Sequence, residues 1–243
     1  VGLDVDYNKM PDHIKALATK GELAIRGELY KGKARSIIEF NKAIVDATAA
    51  HCVAYKPNLA FYEEHGAAGM ESFERTCRYI REKYPEIFII ADAKRGDIGN
   101  TSAMYARAFF EQGLVDAVTL SPYMGLDTVA PFLAYEGKWS VILALTSNPS
   151  AADFEMLTLS DGRKVYEQVL VTASQWGSKE NTMFVVGATQ AKLLSGIRQL
   201  IPFDEMMDIM YTVGRKLPKE LRETALGGCA TAPSACAACG KCS

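Results

Sequence analysis

The sequence predicts an α/β fold in which parallel strands alternate with helices, as in a (β/α)8 barrel of the TIM type. Strand-like segments alternate with amphipathic helical segments along most of the chain. The strand-like segments are nearly continuous runs of Val, Ile, Leu and Ala, which is typical of parallel strands buried on both faces. Polar residues stand at the C-terminal ends of these strands, where (β/α)8 barrels build their active sites.

Six units of a strand followed by a helix are predicted in chain order. The strands are expected at 1–4, 51–57, 86–94, 116–122, 140–147 and 183–189. The helices are expected at 36–50, 71–84, 101–113, 126–137, 163–177 and 190–201, where apolar residues recur at helical spacing. A doubly wound open sheet is the rival fold. Its first turn usually carries a Gly-rich nucleotide loop, and the opening VGLDVDYNK does not contain one.

The regular pattern breaks at both ends of the chain. VGLD has the character of a strand end, so we expect the first half of that strand to precede Val1. After Pro202 the alternation stops, and a helical segment leads into a Cys-rich end. A closed barrel contains eight units, so we predict a partial (β/α) barrel at 1–202 and a helical, Cys-rich tail at 203–243.

Composition and charge argue against nucleic-acid and membrane partners. The 243 residues are 49% hydrophobic, which is enough for a sizeable core, and the formal net charge is -2. The chain contains no long basic stripe, so binding to nucleic acid is not expected. It contains neither an apolar run long enough to cross a bilayer nor a secretory leader, so we expect a cytoplasmic protein without membrane partners.

The stretch ADAKRGDIGNTS places charged residues directly after the apolar run IFII. Side chains alternate faces along a strand, so Asp92 and Lys94 share one face at the strand exit. A turn could return Asp97 to them, and Lys56, at an earlier strand end, could complete an alternating Lys–Asp–Lys–Asp array. A lysine ammonium held between carboxylates can stabilise a carbanion and then protonate it. A salt-bridge network that only fastens loops is the alternative interpretation.

The sequence around these charges resembles that of one enzyme family. DAKRGDIGNT is similar to the Asp-x-Lys-x-x-Asp-x-x-x-Thr signature of the orotidine 5'-phosphate decarboxylases. The similarity extends from residue 1 to about residue 201, through VGLD, KPNLAFYEEHG, DAVTLSPYMGLD, LTSNPSAADF and FVVGAT. It implies a cofactor-free carboxy-lyase that converts orotidine 5'-phosphate to UMP and CO2 in pyrimidine biosynthesis, as a homodimer with shared active sites.

The resemblance also implies a role for each residue of the array. Lys94 is expected to donate a proton to C6 of the pyrimidine, and Asp92 to lie against the substrate carboxylate. Asp97 is expected to complete the array of the partner subunit across the dimer interface, with Ile98 and Thr101 beside it. Lys56 is expected to join the charge network and to bind a ribose hydroxyl.

Two further residues are expected at the substrate. Asp4 is implied to bind the ribose hydroxyls, and Ser147 to hydrogen-bond the pyrimidine ring. Each has a structural alternative, because Asp commonly caps a helix or a turn, and Ser followed by Asn is common in turns. Thr101 is also suited to cap the helix that follows it.

The sequence departs from the family in its last part. The family's phosphate-binding loop, roughly Pro-Gly-x-Gly-x-Gln-Gly-Gly, and a following Arg are not found in residues 203–243. LPKELRETALGG instead resembles the C-terminal end of the iron–sulfur L-serine dehydratases, and this resemblance implies a tail of foreign origin joined near residue 202. Two alternatives to a working decarboxylase therefore stay open: an inactive incomplete scaffold, and a related sugar-phosphate lyase, whose family relatives use a metal.

Four cysteines in the tail have the spacing C-x6-C-x2-C-x2-C. Cys229, Cys236, Cys239 and Cys242 are weak candidates for zinc or iron–sulfur ligands. We identify no metal-binding pattern with the spacing of all four cysteines, and the resemblance to the decarboxylases implies no metal, so we predict none.

Overall fold

The computed structural model describes residues 1–18, 23–25, 28–30, 32–187 and 197. Six strands form one parallel sheet in the order β1, β4, β5, β6, β7, β8. The strands of this sheet are β1 (Gly2–Leu3), β4 (Ala54–Pro57), β5 (Phe88–Arg95), β6 (Ala117–Leu120), β7 (Trp139–Leu145) and β8 (Thr182–Val186). The predicted α/β fold with six parallel strands is confirmed.

Helices connect consecutive strands of this sheet. They are α1 (Asp12–Lys15), α2 (Lys33–Thr48), α3 (Ala60–Glu63), α4 (Gly66–Lys83), α5 (Gly99–Phe110), α6 (Leu126–Leu133) and α7 (Val165–Ala173). Short 3-10 segments lie at Tyr7–Lys9, Ala16–Ala18, Ala49–His51 and Pro149–Asp153. Within the ranges that the structure describes, no helix is both long enough and apolar enough to cross a membrane.

Three details differ from the sequence-based expectations. The strand expected at 51–57 begins only at Ala54, because Ala49–His51 extend the preceding helix as a 3-10 turn. A separate antiparallel hairpin, β2 (Leu23–Ile25) with β3 (Glu28–Tyr30), was not predicted. The helix expected at 190–201 and the whole segment 203–243 lie outside the described residues, apart from the buried Ile197.

The two faces of the sheet have different surroundings. Ile89 and Ala91 of β5 are fully buried in the large cluster that the helices form over the outer face. Phe88 lies on the opposite face, where it packs edge-on against Trp139 at a centroid distance of 6.5 Å. Alternation along β5 places Asp92 on the same face as Phe88. The apolar cluster on this face, formed by Phe88, Ala117, Trp139 and Val141, therefore lies directly below the charged strand end.

Close packing at Gly69 fixes α4 against the backbone of α3. A Cβ atom at this position would lie 1.8 Å from the carbonyl oxygen of Tyr62.

Gly69→Ala is therefore expected to lower the free energy of unfolding by about 1–3 kcal/mol, although alanine is intrinsically favoured in helices by about 1 kcal/mol. Urea unfolding measures the change, with exposed Ala67→Gly as the control for helix propensity. A Gly69→Ala protein more stable than the wild type would contradict this account of the packing.

Candidate active site

The carboxylate of Asp92 is the centre of the charged cluster at the C-terminal end of β5. Lys56 Nζ, from β4, donates to Asp92 Oδ2 at 2.7 Å, and Lys94 Nζ donates to Asp92 Oδ1 at 2.6 Å. The Asp92 side chain is only 9% exposed, whereas those of Lys56 and Lys94 are 40% and 49% exposed. The structure thus brings three of the four predicted array residues together, with both ammonium groups open to a ligand.

Electrostatics keep this central carboxyl ionised. Burial raises the pKa of Asp92, but the hydrogen bonds from Lys56 and Lys94 outweigh burial and hold the pKa below its ordinary value of 3.8. A buried carboxylate is tolerated when it is paired and hydrogen-bonded, as it is here. Near neutral pH the cluster therefore presents one negative charge between two positive charges.

Thr119 of β6 is a member of this cluster that the sequence analysis missed. Its Oγ1 donates to Asp92 Oδ1 at 2.9 Å and accepts from the backbone N–H of Lys94 at 2.9 Å. The residue is 2% exposed within an otherwise apolar strand. A lone polar residue in the buried run AVTL was the available signal, but only the register between β5 and β6 shows which groups it contacts.

The backbone of β5 is irregular where the cluster forms. Between Ala91 and Arg95 the strand advances four residues, while its partner β6 advances only two, from Val118 to Leu120. Lys94 lies in this irregularity and has φ 45°, which is uncommon for a residue other than glycine. Such irregularities re-aim side chains near active sites, and here the irregularity presents the Lys94 ammonium to the Asp92 carboxylate.

Asp97 is held in the loop after β5 by backbone contacts. Its N–H donates to Thr128 Oγ1 at 2.8 Å, and Thr128 Oγ1 donates to the Asp97 carbonyl at 2.5 Å. Its carboxylate accepts from the N–H of Ile98 at 2.7 Å. Within the described part of the chain, no ion pair joins Asp97 to Lys94 or Lys56. The structure therefore does not bring Asp97 into the array of its own chain.

The remaining predicted residues surround the same end of the sheet. Asp4 is exposed directly after β1, which pairs with β4 so that Gly2 lies opposite Lys56. Ile98 is 61% exposed and precedes the first residue of α5, and Thr101 is exposed in its first turn. Ser147 is exposed two residues after β7.

The loop that carries Ser147 is fixed by Glu155, a second residue that the sequence analysis missed. The Glu155 carboxylate accepts from the N–H of Thr146 at 2.7 Å and from Thr146 Oγ1 at 2.8 Å. The backbone of Gly187, after β8, is also close, because a Cβ there would lie 2.8 Å from the nitrogen of Ser147. These contacts constrain the strand end from which Ser147 projects.

Arg95, the fourth charge in the opening motif, points away from the cluster. Its guanidinium pairs with Glu63 of α3, donates to the Ala93 carbonyl at 3.1 Å, and lies over the rings of Tyr105 and Phe109. Arg95 thus fastens β5 to the helices around it. Arg95 is therefore the charged residue of this stretch that has the purely structural role of the alternative interpretation.

Comparison with known proteins gives this geometry a context. A family profile described as "Orotidine 5'-phosphate decarboxylase / HUMPS family" matches residues 3–215. The chain belongs to this family. It is 52% identical over 202 residues to the orotidine 5'-phosphate decarboxylase of Phocaeicola vulgatus, covering 83% of this chain and 68% of that protein. The corresponding enzyme of Porphyromonas gingivalis is also 52% identical over 202 residues, which are 67% of its length and 83% of this chain.

A solved relative shows the same fold. The structure of Leishmania donovani OMP decarboxylase superimposes with a TM-score of 0.65 at 36% identity, over 70% of this chain and 66% of that one. The chain thus spans about two thirds of the length of these decarboxylase relatives. The family match extends past residue 201 to residue 215 and so includes residues 203–215 of the predicted tail. The dehydratase-like origin of the tail stays a prediction.

Metal ligation has no support in the part of the chain that the structure describes. Its residues contain no group of three or more His, Cys, Asp or Glu side chains placed to hold an ion. Cys229, Cys236, Cys239 and Cys242 lie outside the described residues.

The ion pairs of Asp92 predict how stability depends on pH. Because folding lowers the pKa of Asp92 below 3.8, its contribution to stability is present above that value and is lost as the pH falls through the lower folded-state pKa. Asp92→Asn is expected to lower the free energy of unfolding by about 1–3 kcal/mol at neutral pH, with a smaller difference below about pH 4. Urea unfolding of both proteins over this pH range measures the change, with exposed Asp153→Asn as control. A difference that is independent of pH would contradict the assignment.

Proposed function

We propose that this chain catalyses the decarboxylation of orotidine 5'-phosphate to UMP and CO2. The observation that carries the proposal is the Asp92 carboxylate held between Lys56 and Lys94 at the C-terminal end of a parallel sheet. Relatives that are 52% identical to this chain over 202 residues are named as this decarboxylase. A fixed ammonium beside a buried carboxylate suits a reaction that develops negative charge on carbon.

In the proposed reaction, Asp92 lies against the carboxylate of the bound substrate. Repulsion between the two negative charges is relieved as the C–C bond breaks and CO2 leaves with no charge. The electron pair of that bond stays on C6 of the pyrimidine, where the ammonium of Lys94 stabilises it. Lys94 Nζ then gives a proton to C6, which completes UMP. No electron acceptor is needed, because the electron pair that leaves the broken bond forms the new C–H bond.

Binding of the rest of the substrate is assigned to residues around the array. Asp4 and Lys56 are proposed to bind the ribose hydroxyls, and Ser147 the pyrimidine ring. Their positions support this assignment, since all three stand at the C-terminal end of the same sheet. Lys56 would then contact the sugar while it neutralises Asp92.

The first test measures turnover by the purified chain. The readout is the loss of ultraviolet absorbance as orotidine 5'-phosphate is consumed. Lys94→Ala is expected to lower kcat by about a hundredfold or more, because it removes both the stabilising charge and the proton donor. Lys9→Ala, a change at a highly exposed lysine outside the array, is the matched control and is expected to leave kcat unchanged.

The same assay, repeated with EDTA and with a sugar phosphate as substrate, distinguishes the three functions left open by the sequence. Turnover that depends on Lys94 and survives EDTA supports the decarboxylase. Turnover of a sugar phosphate that EDTA abolishes would favour a metal-dependent lyase. Cooperatively folding protein with no turnover of either substrate would favour an inactive scaffold, and family membership would then reflect ancestry alone. The cytoplasmic location expected from composition stays a prediction.

We further propose that two copies of the chain form a homodimer in which Asp97 enters the partner's site. Its carboxylate is not paired with the lysines of its own chain, which supports this arrangement. Large apolar side chains are also exposed on α5, at the start of α6 and on the residues before these helices: Ile98, Met104, Tyr123, Met124 and Leu126. We propose that these side chains form part of the dimer surface, since contiguous apolar patches on a surface mark sites that bind another protein.

Mixing two inactive variants tests the shared site. Lys94→Ala and Asp97→Ala are each expected to abolish most turnover. A mixed dimer of the two has one site in which both residues are intact. Random exchange of subunits is therefore expected to restore up to about a quarter of the wild-type rate. Dimers that exchange subunits without any recovery would contradict a role for Asp97 across the interface.

A further inference from the structure

We propose that Thr119 is a positioning residue for the decarboxylation, because its hydroxyl fixes both members of the Asp92–Lys94 pair. The inference rests on the proposed function. Thr119 Oγ1 lies 2.9 Å from Asp92 Oδ1 and 2.9 Å from the backbone nitrogen of Lys94. It is 2% exposed and lies on a different strand from the pair, so it acts on the substrate only through these two residues.

The hydroxyl satisfies a backbone group at the irregular part of β5. Regular pairing between β5 and β6 stops after Ala91 and resumes at Arg95, so the N–H of Lys94 takes its partner from a side chain. A backbone N–H that is shielded from water and has no partner is destabilising. Lys94 also has φ 45°, and such a conformation persists only where surrounding contacts hold it. The bond from Lys94 to Thr119 Oγ1 supplies one of those contacts.

The same hydroxyl sets the orientation of the carboxylate. A hydroxyl has one proton to donate. Because an ionised carboxylate can only accept, Thr119 Oγ1 donates that proton to Asp92 Oδ1 and uses a lone pair to accept from the N–H of Lys94. Asp92 Oδ1 thus accepts hydrogen bonds from the Thr119 hydroxyl and the Lys94 ammonium, while Oδ2 accepts one from the Lys56 ammonium. The neutral hydroxyl orients the carboxylate without adding charge, so the ion pairs with both lysines are kept.

Variants at Thr119 separate positioning from simple packing. Thr119→Val keeps the shape but removes the hydroxyl, and it is expected to lower kcat by about tenfold or more with little change in KM. Thr119→Ser keeps the hydroxyl and is expected to retain most of the activity. Thr182→Val is the matched control, since Thr182 is a buried threonine on β8 whose hydroxyl bonds to Asn181 rather than to the array.

Amide hydrogen exchange at Lys94, measured by NMR on isotope-labelled protein, tests the same claim without substrate. Wild type and Thr119→Ser are expected to protect this amide, and Thr119→Val to exchange it about tenfold faster or more, with core amides of β7 unchanged. If Thr119→Val does not fold, Thr119→Ala provides the comparison. Unchanged exchange at Lys94 in a folded variant without the hydroxyl would overturn the proposal. If the wild type lacks turnover, the proposed function fails, and exchange alone decides whether Thr119 fixes the pair.

Discussion

The site depends on one buried carboxylate that two lysines keep ionised. Asp92 is nearly inaccessible, and the hydrogen bonds from Lys56 and Lys94 offset the cost of burying its charge. Removing either ammonium would leave the carboxylate less well compensated, so the three residues are coupled and their substitutions are not expected to be additive. The same coupling holds the lysines in place before any substrate binds. The charges that stabilise this strand end are thus also those that the proposed chemistry uses.

Sequence periodicity was sufficient to predict the centre of this arrangement. Alternation along a strand placed Asp92 and Lys94 on one face, and the parallel order of strands placed Lys56 beside them. It could not predict the φ of 45° at Lys94, because that value arises from the register of β5 against β6 and not from local sequence. The hairpin of β2 and β3 was missed because each strand is only three residues long, too short for a clear alternation.

The positions of Arg95 and Asp97 could not be predicted from the charge motif alone. Both belong to the charged stretch ADAKRGDIGNTS, yet neither joins the Asp92 array within this chain. Arg95 faces the helices, where it pairs with Glu63 and lies over the rings of Tyr105 and Phe109. Asp97 follows the strand end, where loop contacts with Thr128 decide its direction. A charge motif therefore predicts candidate groups, whereas strand geometry and loop contacts decide which of them meet.

Three strand ends that carry predicted site residues are each fixed by a side chain from elsewhere in the fold. Tyr62 of α3 donates to the Leu3 carbonyl before Asp4, Thr119 bonds the N–H of Lys94, and Glu155 bonds the N–H before Ser147. In each case a side-chain group takes over a backbone hydrogen bond where the strand ends or loses its regular register. Such groups hold the predicted site residues in place in the absence of substrate, so less ordering would be required in the proposed reaction. They are not recognisable from motifs, because their function depends on which backbone group lies opposite them.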